Sequence, residues 1–211
     1  MTLCFFSSDL HGHKGRFQKL FRAIAAECPD AVFLGGDILP PATRMLSSQS
    51  VDHGDFIGDC LIKKFKQLQH EQKKEFPRIF IILGNDDGRS AETSIKDGMD
   101  EGVWEYVHNK KVSFQDYPVF GYSYIPPTPF LLKDWERYDV SRHVDPGSVS
   151  PEEGMRTFPV SDNSLKYSTI KKDLDKLAEN ENLEKAIFLF HAPPYKTKLD
   201  RAGLDGKNVD F

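Results

Sequence analysis

Residues 5–15 read FFSSDLHGHKG. An apolar run stops at Asp9, and His11 and His13 follow at alternate positions, with Gly12 and Gly15 close by. The run Leu3–Ser7 is short, compact and apolar, as expected of a buried strand. Beyond the glycines, Phe17, Leu20, Phe21 and Ile24 recur at the spacing of one helical face, which predicts a helix from about Gly15 to Ala26. The stretch is therefore the turn between a strand and a helix. Asp9 is open to two readings. It caps the helix, or it holds a metal ion together with His11.

Working outward, the same figure returns three times. Ala31–Leu34 (AVFL) ends in Gly35-Gly36-Asp37, Ile79–Leu83 (IFIIL) ends in Gly84-Asn85-Asp86-Asp87, and Ala186–Phe190 (AIFLF) ends in His191-Ala192-Pro193-Pro194. After Pro40-Pro41, Ala42–Gly54 reads as a loop. A long helix follows from Asp55 to about Phe76, with Ile57, Leu61, Phe65 and Leu68 on one face and a Lys-rich solvated face. Strand-helix-strand-helix-strand implies parallel pairing through crossovers. Lys111–Gln115 and Val119–Tyr124 alternate like hairpin strands. Pro126–Pro159 is expected to be a long irregular connection with one short helix near Leu131–Tyr138. Ser161–Asn180 reads as one helix capped by Ser161 or Asp162, with Leu165, Ile170, Leu174 and Leu177 inward. The tail from Thr197 reads as a loop. The fold class is α/β with a mixed sheet or two sheets. It is taken as one domain over residues 1–211 with a helical insertion at about 40–76.

Bulk properties narrow the function. Of 211 residues, 39% are apolar and 16 are Phe, enough for a sizeable core. The net charge of −4 gives no electrostatic case for nucleic acid as an obligate partner. The apolar runs are too short to span a bilayer. The N-terminus MTLCFFSSDL has no basic region ahead of its apolar run, so no signal peptide is read. Cys4, Cys28 and Cys60 form no CxxC pair, which suits reduced thiols in a cytoplasmic protein.

Each of the four main strands stops at a group able to bind metal. In open α/β sheets ligands bind beyond the carboxyl ends of the strands, so parallel neighbours would bring Asp9, His11, Asp37, Asn85 and His191 together. Singly, each has an ordinary explanation: a cap for Asp9, a turn for Asp37, a left-handed residue for Asn85, packing at a strand end for His191. Caps and turns do not ask for this set. Carboxylate, imidazole and amide oxygen suit Mn²⁺, Fe²⁺ or Zn²⁺. One carboxylate can bridge two ions about 3.5–4 Å apart, and Asp37 behind two glycines is the natural bridge.

At these residues the sequence resembles the calcineurin-like metallophosphoesterase superfamily, whose pattern is D-x-H, G-D, G-N-H-D/E, a His after a strand, and G-H-x-H. Asp9-Leu10-His11, Gly36-Asp37, Gly84-Asn85-Asp86-Asp87 and His191 match the first four elements in order. The resemblance implies an α/β/β/α sandwich. It implies two divalent ions, one held by Asp9 and His11, one by Asn85 and His191, with Asp37 between. It also implies hydrolysis of phosphomonoesters or phosphodiesters by a metal-bridged hydroxide. Substrates would be a phosphorylated small molecule, a nucleotide or a phosphoprotein. Two departures stand out. The His expected after Asn85 is Asp86, as in a subgroup that reads G-N-D; Asp86 takes the catalytic position. A free Asp, with pKa about 3.9, is a poor acid at neutral pH. G-H-x-H is absent, so the domain is read as lacking its C-terminal part. His13 is the closest possible substitute ligand, while His53, His70, His108 and His143 read as surface residues. Arg89 reads as a solvated loop charge rather than a phosphate contact. The competing function is a non-catalytic scaffold or binding module on the same fold.

Overall fold

The structure is a computed structural model describing residues 1–42, 56–204 and 207–210. His53 and nearly all of the loop expected over 42–54 lie outside the described residues. Four parallel strands form the first sheet in chain order: β1 (Cys4–Ser7), β2 (Ala31–Gly35), β3 (Arg78–Ile82) and β4 (Glu105–Tyr106). The helices α1 (Lys14–Glu27), α2 (Lys63–Gln72) and α3 (Glu92–Asp100) connect them.

The second sheet holds β5 (Lys110–Phe114), β6 (Tyr117–Tyr122) and β7 (Ile187–Phe190). β5 pairs antiparallel and β7 parallel with β6. Apart from Arg78 at the start of β3, strands β2 and β3 carry no polar side chain, because both faces are covered. Val32, Leu34, Ile79 and Ile81 pack with Phe17, Phe21 and Ile24 of α1 and with Phe65 and Leu68 of α2. Ala31, Phe33, Phe80 and Ile82 point the other way, against Phe114, Val119 and Leu189 of the second sheet. Phe33 and Phe80 stack at 5.1 Å, and both meet the edge of Phe114. On the far face of the second sheet, Phe120 and Phe188 share a groove with Leu174 and Leu177 of α5 (Ile170–Leu177). Helices and two facing sheets thus make the layered α/β sandwich expected from the sequence.

Several expectations need correction. The strand ending at His191 is not a neighbour of the other three but sits in the second sheet. The long helix after residue 55 is composite: a π-helical turn Phe56–Ile62, then α2, then a 3-10 turn Lys73–Glu75. Ser161–Asn180 is two helices, α4 (Asp162–Tyr167) and α5, capped by Ser161 and Thr169. The break follows from Tyr138, which pairs with Thr169 and whose carbonyl accepts the Ile170 N–H, drawing the backbone extended there. Leu131–Tyr138 is not helical. Its backbone bonds to distant partners, with Lys133 N–H donating to the Met155 carbonyl and Ile125 N–H to the Trp135 carbonyl. The tail holds a hairpin, β8 (Arg201–Leu204) and β9 (Lys207–Asp210), rather than a loop. Helix α3 and strand β4 were not expected. The three cysteines are unpaired. Among the described residues no helix is long and apolar enough to cross a membrane.

Candidate metal centre

The loops after β1 and β2 are laced together. Asp9 N–H donates to the Gly36 carbonyl at 3.1 Å, His11 N–H to Asp37 at 2.7 Å and Gly12 N–H to Ile38 at 2.9 Å. Within this lacing Asp9 (φ 56°), His11 (φ 48°) and Asp37 (φ 52°) all take the left-handed conformation. That costs an L-residue roughly 1–2 kcal/mol and persists only where neighbours enforce it, typically at functional sites. Gly36, at φ 95°, has no alternative: a Cβ there would lie 2.7 Å from His191 Nδ1 and 2.8 Å from Gly84 N. Asp9 is not the helix cap. His13 caps α1, its Nδ1 accepting from Gly15 N–H at 3.2 Å, which also removes it as a substitute ligand. Asn85 lies in the turn closed by Asp87 N–H on the Gly84 carbonyl but is not left-handed, so the left-handed explanation for it lapses.

The six residues singled out in the sequence come together. Ligand atoms of Asp9, His11 and Asp37 lie within 4.8 Å of one another. His191 Nε2 lies 2.9 Å from Asn85 Oδ1 and 3.5 Å from Asp37 Oδ1. Asp86 Oδ2 is 3.6 Å from His11 Nδ1. The side chains of Asp37 and His191 are 7% and 9% exposed, Asp86 37% and Asp9 61%, so the group runs from a buried floor to an open rim.

Two details favour a cation. His191 Nδ1 faces the Gly35 carbonyl at 2.8 Å. A carbonyl only accepts, so Nδ1 carries the proton there. Nε2 then turns its lone pair toward two oxygens, and only a proton or a metal ion can satisfy all three. His11 Nδ1 is buried with no hydrogen-bond partner. Without a metal the proton is the answer. Burial lowers the His191 pKa, but the hydrogen bond and charge of Asp37, the Gly35 carbonyl and the charge of Asp87 outweigh it and raise the pKa. Burial raises Asp37 in turn, yet His191, the Asp86 N–H and His11 bring it below the ordinary value. Burial, then the charge of Asp37, raises Asp86. The residues fit a hard or borderline divalent ion.

One contributor went unassigned in the sequence. Asp87 is fully buried and accepts from Ile38 N–H (3.3 Å), Leu39 N–H (2.8 Å) and Gly84 N–H (2.9 Å). Burial, aided by the Asp37 charge, pushes its carboxyl up to about 7. It pins the loop carrying Asp37 to the loop carrying Asn85. Its signal was its place as the closing acidic residue of Gly84-Asn85-Asp86-Asp87. Arg89 is also not a solvated charge: its side chain is 22% exposed and stacks on Trp135 and Phe158. His108 is not a surface residue either. Its ring sits among Tyr106, Tyr122, Tyr124 and Trp135. His70 and His143 are exposed.

A family model described as calcineurin-like phosphoesterase matches residues 5–211. The chain belongs to the calcineurin-like phosphoesterase family. That family is one of metal-dependent phosphoesterases, and its model spans every residue of the site. A comparison with curated proteins finds no match. Among solved structures, one crystal structure aligns at TM-score 0.52 and 13% identity over 97% of this chain and 74% of its own. The crystal structure of TT1561 of Thermus thermophilus aligns at TM-score 0.50 and 15% identity, over 94% of this chain and 71% of its own. At these identities they show a shared fold.

Proposed function

We propose that the chain hydrolyses phosphomonoesters or phosphodiesters with two divalent ions, Mn²⁺, Fe²⁺ or Zn²⁺. Asp9, His11 and Asp37 hold one ion; Asp37, Asn85 and His191 hold the other. The observation that carries this reading is that Asp37 belongs to both donor groups, with the Nε2 lone pair of the Nδ1-protonated His191 converging with two oxygens on one point. When bound, the ions supply positive charge against the phosphoryl oxygens and lower the pKa of water.

The chain's own residues do the positioning. The Nδ1–H bond to Gly35 fixes the His191 ring and its tautomer. Asp87 holds the Asp37 and Asn85 loops in register through three backbone N–H groups. Asp9, the most exposed donor, stands at the entry, with its carbonyl held by Arg16 Nη1 at 2.6 Å. Asp86, at the catalytic position, faces His11 Nδ1 and is assigned the part of orienting that ring. The substrate is a phosphorylated small molecule, nucleotide or phosphoprotein.

The test is hydrolysis of p-nitrophenyl phosphate and bis(p-nitrophenyl) phosphate by the full chain loaded with each metal. Asp37→Asn is expected to lower kcat/KM by at least about 100-fold. Asp86→Asn should weaken metal binding by about tenfold, the usual effect of losing a group that orients a ligand. A metal-loaded wild-type chain that cleaves neither ester would remove the hydrolase reading and leave the binding-module one.

A further inference from the structure

The loop that follows Asp86 leads to a small recess whose polar wall is Arg89, Tyr124, Asp134, Glu136, Arg137, Arg156 and Ser164. Three guanidinium groups meet there. Two carboxylates also line it, so their charge must be accounted for first. Asp134 accepts from the backbone N–H groups of Arg89 (2.7 Å) and Thr157 (2.9 Å) and from the Thr157 hydroxyl. Glu136 is fully engaged with Lys133, the Thr128 N–H and the Thr128 hydroxyl. Both carboxylates are therefore occupied by donors other than the guanidinium groups.

The arginines differ in what they have left to give. Arg137 pairs with Asp173 and lies 3.9 Å over the Tyr124 ring. Arg89 Nη1 donates to the Tyr124 hydroxyl at 2.9 Å, but its Nε is buried without a hydrogen bond, with Glu92 at 3.6 Å. Arg156 makes no hydrogen bond or ion pair among the described residues, and its Nε is also buried and unpartnered. Burial lowers the Arg156 pKa, and the charge of Arg89 acts in the same direction, against Asp134, Tyr124 and Glu136. The Tyr124 hydroxyl accepts from Arg89, which leaves its own proton to donate. Two guanidinium N–H groups of the recess, at Arg89 Nε and Arg156 Nε, are thus left without acceptors, a cost that an anion would relieve.

The chain links it to two loops of the site. Arg89 stands three residues past Asp86, within about 11 Å of chain. The loop between them is anchored by Arg89 N–H on Asp134 and Ser90 N–H on Thr157. Tyr124 is two residues beyond Tyr122, whose carbonyl accepts the His191 N–H. The open space is about 10 Å³, room for about one oxygen-sized atom.

We propose that Arg89, Arg156 and the Tyr124 hydroxyl form an oxyanion recess that receives an oxygen of a second anionic group on the substrate. This rests on the phosphoesterase reading. It makes the preferred substrate a phosphoester that carries a further phosphate or carboxylate. Guanidinium groups favour such oxyanions through paired N–H donors.

The test has two arms. In the first, the metal-stripped full chain is titrated with inorganic phosphate by calorimetry, comparing wild type with Arg156→Gln and Arg156→Lys. Arg156→Gln should weaken binding about tenfold or more, the effect of losing a charge-assisted hydrogen bond, and Arg156→Lys should restore part of it. In the second, phosphate release is followed from glycerol 3-phosphate, 3-phosphoglycerate and fructose 1,6-bisphosphate. The wild type should favour the doubly anionic esters. Arg156→Gln should reduce that preference about tenfold, and whether the loss falls on the carboxylate or the bisphosphate names the group. Equal phosphate affinity in wild type and Arg156→Gln overturns the recess whatever the activity. Turnover with no change in preference overturns its substrate role, as does free phosphate altering turnover without competing with the bisphosphate. Arg156-dependent phosphate binding in a chain that hydrolyses nothing keeps the recess and removes the phosphoesterase reading.

Discussion

At the scale of single residues, His108 shows how far environment overrides type. Four aromatic rings surround it, and its Nδ1 accepts the Ser123 N–H at 3.0 Å. Burial, reinforced by the positive charges of Arg89, Arg137, Lys96 and Lys110, depresses its pKa to about 3. An unfolded His titrates near about 6.5. Below that pH the unfolded chain takes up a proton that the folded chain refuses. The stability from neutral burial is therefore complete above about pH 6.5 and is lost as pH falls toward 3, at up to about 1.4 kcal/mol per unit. His108→Asn retains an acceptor and removes the titration. Urea unfolding at pH 6.5, 5.5 and 4.5 should show a shallower decline for the variant. Parallel declines would mean that His108 is protonated in the fold. The polar residues that the fold gathers were legible at this scale as a set, since caps and turns alone do not ask for Asp, His and Asn together at strand ends. His108 was not, since nothing in VHNKK reveals the rings that will enclose it.

At the scale of elements, the break between α4 and α5 is the instructive miss. The apolar spacing of Leu165, Ile170, Leu174 and Leu177 is continuous in sequence, yet Thr169 is extended at φ −134° and its side chain accepts the Lys172 N–H. A helix start without its cap loses about 1 kcal/mol. Thr169→Ala should lower the unfolding free energy by about that amount, while Thr169→Ser, which keeps the hydroxyl, should stay close to wild type. Equal losses in both variants would show that the Thr169 methyl matters and the cap does not. The two central strands were legible for a physical reason. β2 and β3 are covered on both faces, and such strands appear as unbroken apolar runs. Helix α3 escaped notice because its nine residues bury only Ile95 and Gly98, with Trp104 seated over the glycine and bonded to the Ile95 carbonyl at 2.8 Å.

At the scale of the molecule, the candidate centre joins two sheets. Asp9, His11, Asp37 and Asn85 follow strands of the first sheet, whereas His191 follows β7 of the second. An ion shared by Asn85, Asp37 and His191 would tie the sheets together and stabilise the whole fold by linkage. Mn²⁺ at about 100 times its dissociation constant adds about 2.7 kcal/mol. For a chain of this size that raises Tm by roughly 5 °C or more. Calorimetric scans with Mn²⁺ and with chelator should show this difference in wild type and little of it in Asp37→Asn. An unchanged shift in the variant would place the stabilising ion elsewhere.

The sequence by itself determined the α/β class, the apolar strands and the identity of the polar residues that close them. These are local properties, carried by periodicity and by residue chemistry within a few positions. Tertiary structure alone decided which sheet brings His191 in, that His13 rather than Asp9 caps the first helix, that Asp87 knits two loops, and that Arg89 and Arg156 face one recess. Those outcomes depend on groups far apart in the chain, such as Asp87 with Leu39 or Asn85 with His191. Their contact energies exist only once the sheets have packed, and no spacing along the chain encodes them.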